Sequence, residues 1–103
     1  MKIIKNIDKK LVNLDGEQMF VDATRKQIAQ VNDLMAGSLV NRLQSKDPVR
    51  ALKLALILRA AKGTIEMEDA DFDFIRDSVT KDTAFTNLVA GQILEVLDNA
   101  IKK

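Results

Sequence analysis

The sequence predicts a mainly helical α+β domain: an N-terminal β-hairpin packed on about four helices, with residues 48–62 as a central buried helix. Three observations carry this. Asp15-Gly16 separates two short stretches rich in apolar residues, as a hairpin turn does. Asp47-Pro48 and Gly63 bracket a run of fourteen apolar or basic positions, the punctuation of a helix. From Thr86 onward the apolar residues recur with the period of an amphipathic helix. With 103 residues the chain has length for one core, so residues 1–103 are read as a single globular domain.

The hairpin is placed at residues 10–21. Leu11 to Leu14 and Glu17 to Val21 flank the Asp-Gly dipeptide, whose backbone tolerates the positive φ of a two-residue turn. Such a hairpin is not stable alone in water and must lay one face on helices. Thr24 and Gln27 then have the spacing of a capping box, and Ile28, Val31, Leu34 and Met35 share one side of the helix they would open. Gly37 interrupts that side, because Leu39, Val40 and Leu43 would fall on another. A break at Gly37 and a short second helix over 38–44 follow.

Asp47 caps the next helix, and Pro48 fills its first position, where a missing N–H is harmless. Ala51 to Leu58 contains one charge, Lys53, and apolar side chains surround most of the helix. A helix of this kind is buried on several sides by its own chain, or has one side covered by a second copy. Ile65 and Met67 form a short strand expected to pair with the hairpin. Glu68 or Asp69 opens a helix rich in first-turn acids, with Phe72, Ile75 and Val79 inward and Phe74 pointing elsewhere. The last helix is capped by Thr86 and runs to about Ile101. Its inner side is Val89, Ile93, Leu94, Val96, Leu97 and Ile101, and its outer side Gln92, Glu95, Asp98 and Asn99. Lys102 and Lys103 suit its negative end.

Composition narrows the chemistry. The chain contains no histidine, cysteine, tyrosine or tryptophan, so the side chains most used for acid–base work near neutrality, for thiolate chemistry and for zinc are missing. No serine elbow, phosphate-cradling glycine loop or metal-ligand cluster appears, and neither enzymatic activity nor a cofactor is expected. Asp69, Asp71 and Asp73 open like a calcium loop, but its glycine position holds Phe74 and its final glutamate position Thr80. Helix capping is the better reading of those acids. With no disulfide, no apolar run long enough to span a bilayer and too short an apolar stretch at the start for a secretory signal, a bacterial cytoplasmic or virion-associated location is expected, with no membrane partner.

Charge is divided unevenly. Residues 1–62 carry 12 Lys/Arg against 6 Asp/Glu, and residues 63–103 carry 4 against 9. Opposite faces of this sort attract different partners, or copies of one chain head to tail. Residues 24–46 faintly resemble a helix-turn-helix, with Gln27, Ser38, Asn41, Arg42, Lys46 and Arg50 available to bases and phosphates. The turn glycine lies about four residues too late for that motif, so a small DNA-binding regulator is the alternative reading and nucleic acid not the expected partner.

Leu14-Asp15-Gly16, Thr24, Leu54-Ala55-Leu56-Ile57, Ile65-Glu66-Met67 and Val89-Ala90-Gly91-Gln92-Ile93 leading to Leu97 together resemble a group of short proteins encoded by tailed bacteriophages and prophages. The stretch from Met35 to Asp47 departs from that pattern. The resemblance brings no active residues with it. It implies a phage-borne accessory protein working through protein–protein contacts. The expected function is therefore a non-enzymatic interaction or assembly module, with itself or a host or phage protein as partner and a homo-oligomer as one outcome. The expected contact residues are a basic set, Arg42, Lys46, Arg50 and Lys53, an acidic set including Asp69, Asp73 and Asp77, and an exposed Phe74.

Overall fold

The computed structural model describes residues 1–21, 27–41 and 47–102. Within these residues four helices and a small three-stranded sheet follow one another as β1 (Lys2–Ile4), α1 (Val31–Asn41), α2 (Pro48–Ala60), β2 (Ile65–Met67), α3 (Asp69–Lys81), α4 (Asn87–Asp98) and β3 (Ile101–Lys102). The mainly helical α+β class holds. The sheet is antiparallel with β1 in the middle, Ile4 opposite Ile65 on one side and Ile3 opposite Ile101 on the other. Thus β2 pairs with the first residues of the chain and not with the 10–21 segment. Lys102 and Ile101 belong to a strand, not to the end of α4. Ile101 is exposed there instead of lining the helix.

Residues 9–21 and 27–31 pair in an arrangement that sequence periodicity does not reveal. The Leu11 N–H donates to the Ala29 carbonyl, the Ala29 N–H to the Met19 carbonyl, and the Met19 N–H to the Leu11 carbonyl, each at 2.9–3.0 Å. Three extended segments therefore pair in a triangle, bridged singly at Lys10–Gln30, Val12–Gln18 and Phe20–Ile28. The predicted hairpin is one side of this triangle. Its turn is longer than two residues: Asn13 N–H donates to the Glu17 carbonyl and Gly16 N–H to the Asn13 carbonyl, with Gly16 at φ +83°. The Asn13 side chain accepts from the N–H groups of Asp15 and Glu17 and stiffens the tip.

This triangle also explains why α1 begins at Val31. The Gln27 carbonyl, both backbone groups of Ala29 and the Val31 N–H are bonded to the other two sides, and Ile28 is extended, not helical. The proposed cap at Thr24 lies outside the described residues. Once started, α1 runs through Gly37 without a break, so no second helix begins at residue 38. Its buried side is Val31, Asn32, Met35, Ala36, Ser38 and Leu39. Two of these are polar, which is why apolar spacing alone divides the helix.

The centre of the fold is α1. It packs against α2, α3 and α4, whereas α2 lies on the rim with only Ala51, Leu54, Ala55 and Leu58 buried. The expectation that residues 48–62 form the central helix is corrected accordingly. On α3, Phe72, Ile75, Ser78 and Val79 face inward, and on α4, Ile93, Val96 and Leu97 do. Thr86 caps α4, its hydroxyl accepting from the Val89 N–H. No helix among the described residues is long and apolar enough to cross a membrane.

Candidate interaction surface

The most exposed apolar surface on a regular element belongs to α2, and its existence follows from how α2 is fixed. Asp47 accepts from the Arg50 N–H at 3.0 Å and Pro48 opens the first turn. At the other end the Asn32 side-chain amide, itself buried in α1, donates to the Leu58 carbonyl at 3.0 Å and the Ala61 carbonyl at 3.3 Å. Those carbonyls belong to the last turn of α2 and the residue that ends it, and the Leu58 carbonyl also accepts from the Ala61 N–H at 3.1 Å. A third restraint is Arg50, whose Nε and Nη2 both donate to one Asp71 carboxylate oxygen, at 2.9 and 2.6 Å. The same guanidinium lies 5.2 Å from the centre of the Phe74 ring.

With α2 held in this way, the apolar residues of its run divide between two sides. Leu54, Ala55 and Leu58 go into the core. Val49, Leu52, Leu56 and Ile57 remain 66, 54, 61 and 55% exposed. Val49, Leu52 and Leu56 recur at i, i+3 and i+7, which lines them up along the outer side, with Ile57 and Lys53 beside them. Arg50, Lys53 and Arg59 are the charged residues of the helix, and it carries no acid.

The expected contact residues are distributed differently. Arg42 and Lys46 lie outside the described residues. Arg50 is engaged by Asp71 and Phe74 and does not join a free basic set, whereas Lys53 is exposed on the outer side of α2. Asp69 pairs with the Met1 ammonium at 3.0 Å, and this hydrogen bond, with the positive charges around it, holds its carboxyl below the ordinary value. Asp77 pairs with Lys81 one turn along α3, at 3.1 Å. Asp73 is exposed on α3. Phe74 is not the exposed contact expected of it: it is half-buried beneath Arg50 and packs against the core. The acids are thus not a single patch held free for a partner.

Four polar residues whose internal contacts sequence reasoning did not foresee do much of the positioning. Besides Asn32, Ser38 of α1 and Ser78 of α3 meet hydroxyl to hydroxyl at 3.1 Å inside the fold. Gln92, expected on the outer side of α4, accepts from the Val12 N–H at 3.0 Å and donates to the Val12 carbonyl at 2.8 Å. It thereby acts as a strand neighbour for the triangular segment. The signal for Asn32 was its place between Val31 and the Leu34-Met35 pair, where a polar residue interrupts an apolar stripe.

Other surfaces hold less. An open depression lined by Asp33, Ser38, Arg59, Lys81 and Phe85, among others, lies beside the C-terminal half of α1. Among the described residues no three acidic side chains gather as metal ligands. Among the described residues of 24–46 the turn of a helix-turn-helix is not formed, because α1 is continuous across Gly37 and Ile28 and Gln30 lie in β-bridges. No family model, curated protein or solved structure matches this chain.

Proposed function

We propose that the protein is a non-enzymatic interaction module that docks a protein partner on the outer side of α2. The observation that carries this reading is the row of Val49, Leu52 and Leu56, more than half exposed on a helix whose ends and inner side are firmly held. Leaving large aliphatic side chains in water forgoes about 1.5–3 kcal/mol of burial for each. Contiguous apolar surface of this kind on a soluble domain marks a contact site. The bacteriophage resemblance of the sequence supplies a context, an accessory or assembly role in a bacterial cell or particle, and adds no chemistry of its own. A second copy of the chain and a different protein are both partners within this reading.

Site-directed photocrosslinking tests it. A benzophenone amino acid replaces Leu56 in one variant and Thr80, exposed on α3, in another, each expressed in the bacterium that carries the gene. The reading expects one dominant crosslinked product from position 56 and only background from position 80. Equal, diffuse crosslinking at the two positions would refute it.

A further inference from the structure

Resting on the reading of α2 as a docking face, we infer that its occupant is an acidic amphipathic helix from a different protein. Shape supports a helix. The seam from Val49 through Leu52 and Leu56 to Ala60 repeats at the three- and four-residue spacing by which one helix receives another, over about 16 Å of helix length. Its three large side chains, and Ile57 beside them, are each more than half exposed. They are the apolar centre of an interface of ordinary size, which occupies about 800 Å² on each partner and has a polar rim.

Charge supports acid on the partner. Lys53 and Arg59 are exposed on α2, Lys62 is exposed just beyond it, and α2 carries no acidic residue. A partner helix with carboxylates flanking its apolar row meets these cations at the rim, which steers association and excludes basic competitors.

A second copy meets the surface less well. Antiparallel self-pairing about the middle of the seam brings the Lys53 side chains of the two copies together with no acid on α2 to offset them, and like charges so placed oppose association. The acids of α3, Asp73 and Asp77, are exposed, but α3 has no large exposed apolar residue to cover Leu52 and Leu56. An anionic lipid surface fits less well too. Among the described residues three cations, Lys53, Arg59 and Lys62, accompany the seam, short of the four to eight of a polybasic membrane site, and the seam has no aromatic residue.

Fluorescence anisotropy with two labelled peptides tests the inference on the intact protein. Both probes are 18-residue helices with Leu at i, i+3 and i+7. One carries Glu at the flanking positions and the other Lys. The Glu peptide is expected to bind at least tenfold more tightly at low salt, with the advantage shrinking as salt rises. Leu56→Asp is expected to abolish its binding while thermal unfolding stays unchanged, and Lys53→Glu to reduce the preference. Failure of the Glu peptide to bind better than its Lys twin overturns the inference. Sedimentation and vesicle flotation then identify what replaces it. A dimer dissociated by Leu56→Asp makes the occupant a second copy, and binding to phosphatidylserine vesicles makes it a membrane. The crosslink at position 56 reports on the docking face separately: it survives the first of these outcomes, and its absence would sink both readings.

Discussion

Asn32 and Leu58 lie 26 residues apart, and the buried side-chain amide of the first donates to the main-chain carbonyl of the second at 3.0 Å. A second, longer bond from the same nitrogen reaches Ala61. The amide thereby closes the last turn of α2 from a neighbouring helix, and one polar residue sets where that turn ends against α1. The Asn32 side-chain oxygen has no partner among the described residues, so the two donated bonds define the role of this side chain.

Asn32→Ala is expected to lower folding stability by about 1–3 kcal/mol, the cost of withdrawing the Asn32 donor from the Leu58 and Ala61 carbonyls. Asn32→Asp is expected to cost more, since an acceptor-only carboxylate would face those carbonyls. Urea unfolding checks both. Changes within 0.5 kcal/mol of the parent for both variants would remove Asn32 from this role.

Gln92 makes a reciprocal pair with the Val12 main chain. Gln92→Ala is expected to cost about 1–2 kcal/mol, and the Val12 amide to exchange with deuterium faster than in the parent. Gln92→Glu keeps the acceptor and loses the donor. In that variant the Val12 amide should retain more protection than in the alanine variant. Identical exchange in parent and alanine variant would show that the triangle does not depend on α4.

Gly16 sits at φ +83° with open space where a β-carbon would be. The penalty of Gly16→Ala is therefore one of backbone conformation alone, about 1–2 kcal/mol. Gly16→Asn should cost less, because asparagine tolerates left-handed backbone. Thermal melts of the two variants give the comparison, and an alanine variant as stable as the parent would contradict the turn geometry.

Asp69 is held below the ordinary value of 3.8 first by its hydrogen bond to the terminal ammonium, with the positive charges of that group, Lys2 and Lys102 adding to the effect against partial desolvation. A carboxyl with a depressed folded value contributes stability that is present above 3.8 and is lost as pH falls through the folded value. Between pH 5 and pH 2, Asp69→Asn should therefore lose less stability than the parent. Parallel pH profiles for the two proteins would exclude the ion pair as a source of acid sensitivity.

The legible parts of this fold are those whose signals are local. Thr86 and the apolar period after it located the start and inner side of α4, and Asp47-Pro48 located the start of α2. The first-turn acids and Phe72, Ile75 and Val79 located α3. What stayed hidden depends on partners distant in the chain. β1 becomes a central strand only because Ile65–Met67 and Ile101–Lys102 flank it. Ile28, helical by its spacing, is extended because the segments around Leu11 and Met19 hydrogen-bond its neighbours. The candidate site was half visible. An apolar run with few charges announced that α2 needs more cover than water, and Lys53 was placed on it. Which side stayed bare was not readable, because Asn32 and Ser38 disguised α1, the helix that does occupy the centre. Arg50, Asp69, Asp77 and Phe74 looked available for partners because their internal contacts join separate elements, or in the case of Asp77 one turn to the next.

The triangle of Leu11, Met19 and Ala29 has a practical corollary for handling this protein. Because its three sides are laced to one another and Asn13 braces the corner, the Leu14-Asp15-Gly16 tip stands out from the body with both feet clamped. Leu14 there is 93% exposed and touches little. A fluorophore attached at this position, through Leu14→Cys in a chain with no other cysteine, would be displayed on a rigid stalk, leaving the helices free to report whatever binds them.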